Sequence, residues 1–138
     1  MRKFPIGLGS IRTTLVHIAE REWGYAQRLA RIDYGRDDLP FTETRYPEFE
    51  GFATAWMRQA PATRQVLALL TTPRSIEYVS RLFVPSMRTR TTAGGIAGQL
   101  LFHEVHHRAQ IMAMLRQAGV AAENVDYSVL VWERTPID

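Results

Sequence analysis

The 138-residue sequence contains no cysteine. Disulfide scaffolds, cysteine-ligated zinc and a protein thiol nucleophile are therefore excluded, because each of them needs a thiol side chain. The absence leaves the redox compartment open. Any thiol chemistry that this chain carries out must use a thiol supplied by a small molecule.

The sequence also lacks a long hydrophobic run. Nothing in it matches an 18-residue membrane span, and the first residues lack the apolar core of a signal peptide, so we expect a cytoplasmic protein. Internal repeats and low-complexity tracts are absent as well. The apolar content of 46% and charged content of 22% are ordinary for a folded soluble protein, and the length predicts one domain over residues 1–138.

Lysine is nearly absent, since Lys3 is the single lysine among 17 basic residues, which face 14 acidic residues for a net charge of +3. The arginines are scattered, and no helix-turn-helix or aromatic-basic pattern is present, so nucleic-acid binding is the least favoured function. Their densest excess lies between Arg74 and Arg116. We interpret most of these arginines as solvated surface, with attraction of an anionic substrate as the alternative.

Histidine, by contrast, is concentrated: three of the four histidines lie in one five-residue stretch, 103–107, inside the segment 98–119. Good helix formers fill this segment, and Gly119 stands where a left-handed stop is expected, so we predict a helix of about six turns. At about 100° per residue, His103 and His107 share one face, whereas His106 lies about 60° to the other side of His103. A histidine pair spaced i, i+4 on a helix can share one cation.

Both faces of this predicted helix are apolar. The apolar residues on the histidine face, which we expect to point inward, are Ile96, Leu100 and Met114. Those on the opposite face are Leu101, Val105, Met112 and Leu115. A helix that is apolar on both sides is usually buried on both sides, so we hypothesise that the second face is a subunit contact.

A second histidine-bearing helix is predicted from Ser10, a typical N-cap residue, to about Ile32. Apolar residues recur there at alternating spacings of four and three, the pattern of a bundle seam, which Glu22 interrupts. His17 flanks this stripe and is the candidate for the third donor that the histidine pair still needs. Glu22 is a carboxylate on a buried seam and needs a partner such as a histidine N–H or an arginine.

The remaining segments have weaker patterns. Residues 34–47 are predicted as a loop, and residues 48–71 as a helical region that Pro61 kinks or divides into two helices. Residues that favour strands predict a short hairpin over 76–92 with its turn at Pro85-Ser86. Residues 126–132 are predicted to form a short extended or helical segment that packs back through its aromatic side chains.

Two motifs together resemble the DinB/YfiT-like family. The segment His103-x-x-x-His107-Arg108-Ala109-Gln110, followed by Leu115-Arg116-Gln117-Ala118-Gly119, resembles the last bundle helix of that family. The segment Ser10-Ile11-Arg12-x-Thr14-Leu15-Val16-His17-Ile18, with Glu22 five residues after the histidine, resembles its first-ligand helix, and Asp126-Tyr127 fits its tail. The resemblance covers nearly the whole chain.

The resemblance implies an all-α fold, an up-down four-helix bundle that holds one divalent metal ion, usually zinc or nickel, on His17, His103 and His107. It further implies a small-molecule substrate, a homodimer, and a metal-dependent enzyme that transfers a low-molecular-weight thiol or hydrolyses its substrate. One departure concerns the start of the chain, where only nine residues precede Ser10 and the family usually has a full helix. We therefore expect a bundle that lacks most of its first helix, with an apolar groove that a second chain could cover.

The predicted ligand set determines the chemistry. Three neutral imidazoles leave a bound divalent ion its full charge and an open position, so that it can activate water or a thiol. Glu22 and Glu104 are candidate catalytic residues, and Arg108 and Gln110 are candidates for binding the thiol cofactor. We place thiol transfer ahead of hydrolysis because of the resemblance.

Two alternatives stay open. His103-Glu104-Val105-His106-His107 also matches H-E-x-x-H, the zinc metallopeptidase pattern in which Glu104 is the general base. That function is less favoured, because no histidine follows His107 to serve as a third ligand. The second alternative is a structural or interaction bundle whose histidines form a cluster without an ion and catalyse nothing.

Overall fold

The computed structural model describes residues 2–71, 73–123 and 133, and in this part of the chain three helices and one hairpin account for the regular structure. The helices are α1 (Ile11–Leu29), α2 (Phe49–Ala68) and α3 (Ala93–Gln117), and the strands are β1 (Ser75–Ser80) and β2 (Met87–Thr92). The mostly helical class is confirmed. A small antiparallel sheet accompanies the helices, and the four-helix arrangement stays a prediction.

Helix α1 begins where the sequence predicts and ends earlier. Ser10 is extended, and its hydroxyl accepts a hydrogen bond of 3.0 Å from the backbone N–H of Thr13, which confirms the N-cap. The helix ends at Leu29 and not near Ile32, because Arg31 adopts a left-handed conformation with φ of 61°. Ile32 is consequently 53% exposed and does not continue the buried seam.

Helix α2 runs without a break across Pro61, so the expected alternative of two successive helices is wrong. Proline has no N–H to offer the preceding turn, and that missing bond has to be offset by other contacts. Trp56 and Thr63 lie on either side of Pro61, and both donate hydrogen bonds to Glu22 of α1. These two contacts tie the halves of α2 to one side chain of α1.

The predicted hairpin is confirmed over nearly the predicted residues. Strands β1 and β2 pair antiparallel from Ser75 opposite Thr92 to Ser80 opposite Met87. Ile76 of β1 is buried in a cluster with Leu29 at the end of α1 and Ile96 in the first turns of α3. The hairpin therefore closes one end of the helical assembly and leads directly into α3.

Helix α3 follows β2 without a loop, because Thr92 ends the strand and caps the helix. The Thr92 hydroxyl accepts a hydrogen bond of 3.0 Å from the backbone N–H of Gly95. At the other end, Gly119 has φ of 79°, which confirms the predicted left-handed stop. The helix begins a few residues before the predicted segment 98–119 and carries the histidines at its centre.

The two faces of α3 differ in burial. On the histidine face, Ile96, Leu100 and Met114 are buried, as predicted. On the opposite face, Leu101 is 61% exposed and Val105 is 45% exposed, so this face is open to solvent in a single chain. Helix α1 packs against both α2 and α3 and is the central element of the fold.

An apolar groove of about 670 Å³ lies beside α1. Residues of α1, the start of α2 and the last turns of α3 line it, including Leu15, Phe49, Phe52 and Leu115. No helix in the described part of the chain is long and apolar enough to cross a membrane. The segment 126–132, predicted to pack back on the helices, lies outside the described residues.

Candidate metal centre

Three histidines from two helices meet where α1 packs on α3. His17 on α1 faces His103 and His107 on α3, and one ring nitrogen of each lies within 4.8 Å of those of the other two. The Nε2 atoms of His17 and His103 are 3.0 Å apart. The ring centroids of His17 and His107 are separated by 4.8 Å, and those of His103 and His107 by 4.4 Å.

The helical spacing and the packing of α1 on α3 together produce this cluster. His103 and His107 stand one turn apart on one face of α3, as the sequence predicts. Since α1 packs on that face, His17 is carried to the pair from the neighbouring helix. His107 is buried, whereas His17 and His103 are half-buried, so the cluster lies at the edge of the core with access from outside.

The three residues fit a divalent metal ion in spacing and in charge. Nitrogens that share one tetrahedral zinc ion lie about 3.3 Å apart. The three histidine nitrogens, all within 4.8 Å of one another, are close enough to hold one ion. A histidine that binds a metal ion through a ring nitrogen has to be in its neutral form, and the site favours that form. Burial, assisted by the charge of Arg21, lowers the pKa of His17 to about 4. Burial and the neighbouring histidines lower the pKa of His103 to about 4 as well.

Gln110 hydrogen-bonds His107, the third histidine of the cluster. Its side-chain oxygen lies 2.8 Å from Nδ1 of His107, and its side-chain nitrogen lies 2.9 Å from Nε2 of His106. An amide oxygen can only accept, so Nδ1 of His107 carries the proton and Nε2 is left with a free lone pair. Gln110 is thus placed next to a candidate ligand, and His106 stands behind it, outside the three-histidine cluster.

Glu22 has partners other than the histidine or arginine expected from the sequence. The indole N–H of Trp56 and the hydroxyl of Thr63 each donate to its carboxylate at 2.6 Å. Both donors belong to α2, so Glu22 joins α1 to α2. Sequence spacing places Glu22 on the seam but holds no information on which donors of a distant helix reach it.

Glu104 is a partly buried carboxyl group close to Glu22. Its pKa is raised to about 7, first because burial disfavours the charged form and second because of the negative charge of Glu22, while Arg108 opposes both effects. The Oε1 atom of Glu104 is buried and has no hydrogen-bond partner within the described residues. Arg108 is exposed, one turn after Glu104 on α3.

A cavity of about 390 Å³ opens beside His17. Its walls come from the residues before α1, from α1 and from the loop before α2. The lining residues are Leu8, Thr13, Val16, His17, Glu20, Phe41, Thr42, Glu43 and Thr44. Sequence reasoning missed this wall, because residues 41–44 lie in a segment without periodicity. Arg21 was missed too, although its position one turn after His17 is a signal that the sequence contains.

The fold and the site together define a mostly helical protein with a three-histidine group able to hold a metal ion. Comparison with protein families agrees: the family model described as DinB family matches residues 3–136, nearly the whole sequence, and the chain belongs to the DinB family. No curated protein and no solved structure matches the chain significantly.

Proposed function

We propose that this protein is a metal-dependent enzyme whose divalent ion is held by His17, His103 and His107. One observation carries the proposal: three imidazoles from two helices converge at a site where burial lowers the pKa of two of them to about 4. Neutral imidazoles are the form that binds a metal ion, so the lowered pKa values favour metal binding at this cluster. Zinc and nickel both accept imidazole donors.

The ion, when bound, would supply Lewis acidity that activates a thiol or a water molecule. The chain's own residues prepare the place for it. Gln110 holds His107 with its Nε2 lone pair free, and Arg21 disfavours protonation of His17 and His103. The cavity beside His17 offers a small molecule a place next to one of the three histidines, with three threonine hydroxyls and two carboxylates as hydrogen-bonding groups.

We place transfer of a small-molecule thiol first among the reactions and hydrolysis second. The chain has no cysteine, so a thiol has to enter as a cofactor or co-substrate. Glu104, whose raised pKa leaves it partly protonated near neutral pH, is the group best suited to exchange a proton with a bound substrate. Glu22 is held by Trp56 and Thr63 and is better suited to raise the pKa of Glu104 by its negative charge.

The experiment that tests the proposal is elemental analysis of untagged protein, followed by an activity assay. One equivalent of metal is expected in the wild type and in His106→Ala, and none in His17→Ala or His103→Ala. Metal-loaded protein is then incubated with a small thiol and an electrophile, and separately with activated esters. Protein that takes up no metal would favour the structural bundle, and metal uptake without turnover would limit the proposal to metal binding.

We also propose that the protein is a homodimer that pairs through the outward face of α3. Leu101, Phe102 and Val105 lie together on that face, and Phe102 is 73% exposed. Large apolar side chains grouped on one helix face mark an association surface more often than a solvated one. A second copy presents the same apolar face, so a symmetric dimer would bury both faces against each other.

A further inference from the structure

The N-terminal residues before α1 form a tight turn against α3. The backbone N–H of Phe4 donates to the carbonyl of Gly9 at 2.9 Å, and the N–H of Gly9 donates to the carbonyl of Ile6 at 3.2 Å. Phe4 is 8% exposed, so this turn is anchored in the core. Within this turn Gly7 has a φ of 59°, which lies in the left-handed region.

Gly7 lies against the side chain of Gln110. A Cβ atom added to Gly7 would stand 2.9 Å from Oε1 of Gln110 and 3.4 Å from its Cβ and Cδ. The Oε1 atom is the one that accepts the hydrogen bond from Nδ1 of His107. The turn therefore contacts the metal centre indirectly: Gly7 lies against the amide of Gln110, and that amide hydrogen-bonds the candidate ligand His107.

We propose that Gly7 and Gln110 are positioning residues of the metal centre. Because Gly7 has no side chain, the amide of Gln110 has room to lie where it hydrogen-bonds His107. This inference rests on the proposed function, since it concerns the same three histidines. Groups that hydrogen-bond a histidine ligand fix its tautomer and ring orientation, and the free nitrogen then points at the ion. Gly7 does not contact the histidine itself; it acts on Gln110, by limiting where the Gln110 amide can lie.

The contact makes a specific perturbation possible. The crowded atom is the end of a flexible side chain, so a methyl group at Gly7 is expected to move the Gln110 amide and not the backbone of α3. Gly9 is the matched control, because it lies in the same turn with φ of 81° and nothing in the described part of the chain lies within 4 Å of an added Cβ. Alanine at either position carries the same left-handed backbone strain.

The experiment is a zinc titration of metal-stripped protein against a chromophoric competitor, for Gly7→Ala and Gly9→Ala beside the wild type. Loss of an outer-shell group weakens metal binding by about 10- to 100-fold, and that loss is expected for Gly7→Ala and not for Gly9→Ala. Thermal unfolding of the metal-free proteins should shift by a similar amount in both variants. Equal zinc affinities of the two variants would overturn the inference.

A second pair of variants tests Gln110 directly and serves if alanine at Gly7 prevents folding. Gln110→Glu keeps an oxygen that accepts from Nδ1 of His107, whereas Gln110→Leu removes it. We expect Gln110→Glu to retain zinc affinity and Gln110→Leu to lose it, with a nitrogen NMR spectrum that shows the Nδ1–H tautomer of His107 in the first variant only. Equal affinities of these two variants would contradict the role of Gln110.

The zinc titrations distinguish failure of the positioning role of Gly7 and Gln110 from failure of the proposed metal centre. A wild type that binds one zinc ion while Gly7→Ala and Gln110→Leu bind equally well refutes only the positioning role. A wild type that binds no zinc refutes the metal centre, and the positioning role with it.

Discussion

His17 and His103 approach to 3.0 Å between their Nε2 atoms, although 86 positions separate them in the chain. The two nitrogens cannot both be protonated at that distance without facing proton against proton. One proton shared between the two nitrogens, or one cation bound by both, satisfies both lone pairs. The lowered pKa values of the two histidines disfavour a second proton, which would make one of the rings cationic. This contact joins α1 to α3 at the point where the fold offers metal chemistry.

Replacing His17 with glutamine should change how the stability of the metal-free protein depends on pH. The pKa of His17 is about 4 in the folded chain and 6.5 for an unperturbed histidine, so the unfolded state binds more protons between these values. The wild type should therefore lose stability, relative to His17→Gln, as pH falls from about 6.5 to about 4. Urea unfolding midpoints at pH 7 and pH 4.5 measure this, and a difference between the two proteins that stays constant with pH would contradict it.

Glu104→Gln should have the opposite pH dependence. The carboxyl pKa is raised from 4.5 to about 7 in the folded chain, so the folded state binds the proton more tightly and the wild type loses stability as pH rises from about 4.5 to 7. The neutral amide avoids this loss, and we expect the variant to be the more stable protein at pH 8 and similar to the wild type at pH 4. Unfolding midpoints of metal-free protein at the two pH values provide the measurement.

The same variant distinguishes the two enzyme classes. In a metallopeptidase of the H-E-x-x-H type, Glu104→Gln removes the general base and peptide cleavage with it. A three-histidine enzyme should keep one equivalent of metal in Glu104→Gln. Casein cleavage by the wild type and the variant decides between them, because Glu104 is a ligand in neither class and both should keep the metal. Metal-dependent cleavage by the wild type alone would establish the peptidase.

The link between Glu22 and Thr63 should be measurable as a coupling energy. Removing the carboxylate leaves the hydroxyl of Thr63 and the indole N–H of Trp56 without their acceptor, at a cost of about 1–3 kcal/mol. In a double-mutant cycle of Glu22→Ala and Thr63→Val, the two losses should be less than additive by at least about 0.5 kcal/mol. Additive losses in urea unfolding would show that the two side chains do not interact.

Phe102→Glu should convert the proposed dimer to a monomer, because a charge on the outward face of α3 opposes pairing of two apolar surfaces. Light scattering coupled to size exclusion should give half the wild-type mass. Phe83→Glu is the control, since Phe83 is also largely exposed, at 58%, but lies in the turn of the hairpin. A wild type that is already monomeric would refute the dimer, as would a Phe102→Glu variant that keeps the dimer mass.

Features that depend on neighbouring residues could be predicted from the sequence. The Ser10 cap, the hairpin, the left-handed Gly119 and the shared face of His103 and His107 all follow from helix and turn geometry within a few residues. The end of α1 and the continuity of α2 across Pro61 could not be predicted. In α1 the left-handed backbone of a single arginine ends the helix, and in α2 residues on both sides of Pro61 are hydrogen-bonded to Glu22 of another helix.

The sequence by itself determined which residues are able to bind a metal ion, since only four histidines exist and two of them stand at i, i+4 on a helix. Tertiary structure decided what those residues meet: His17 beside the pair, Glu22 bound to α2, and Gly7 against Gln110. The physical reason is range. Helical periodicity sets directions over one or two turns, whereas the packing of α1 on α3 depends on the whole core and decides which side chains come within hydrogen-bonding distance.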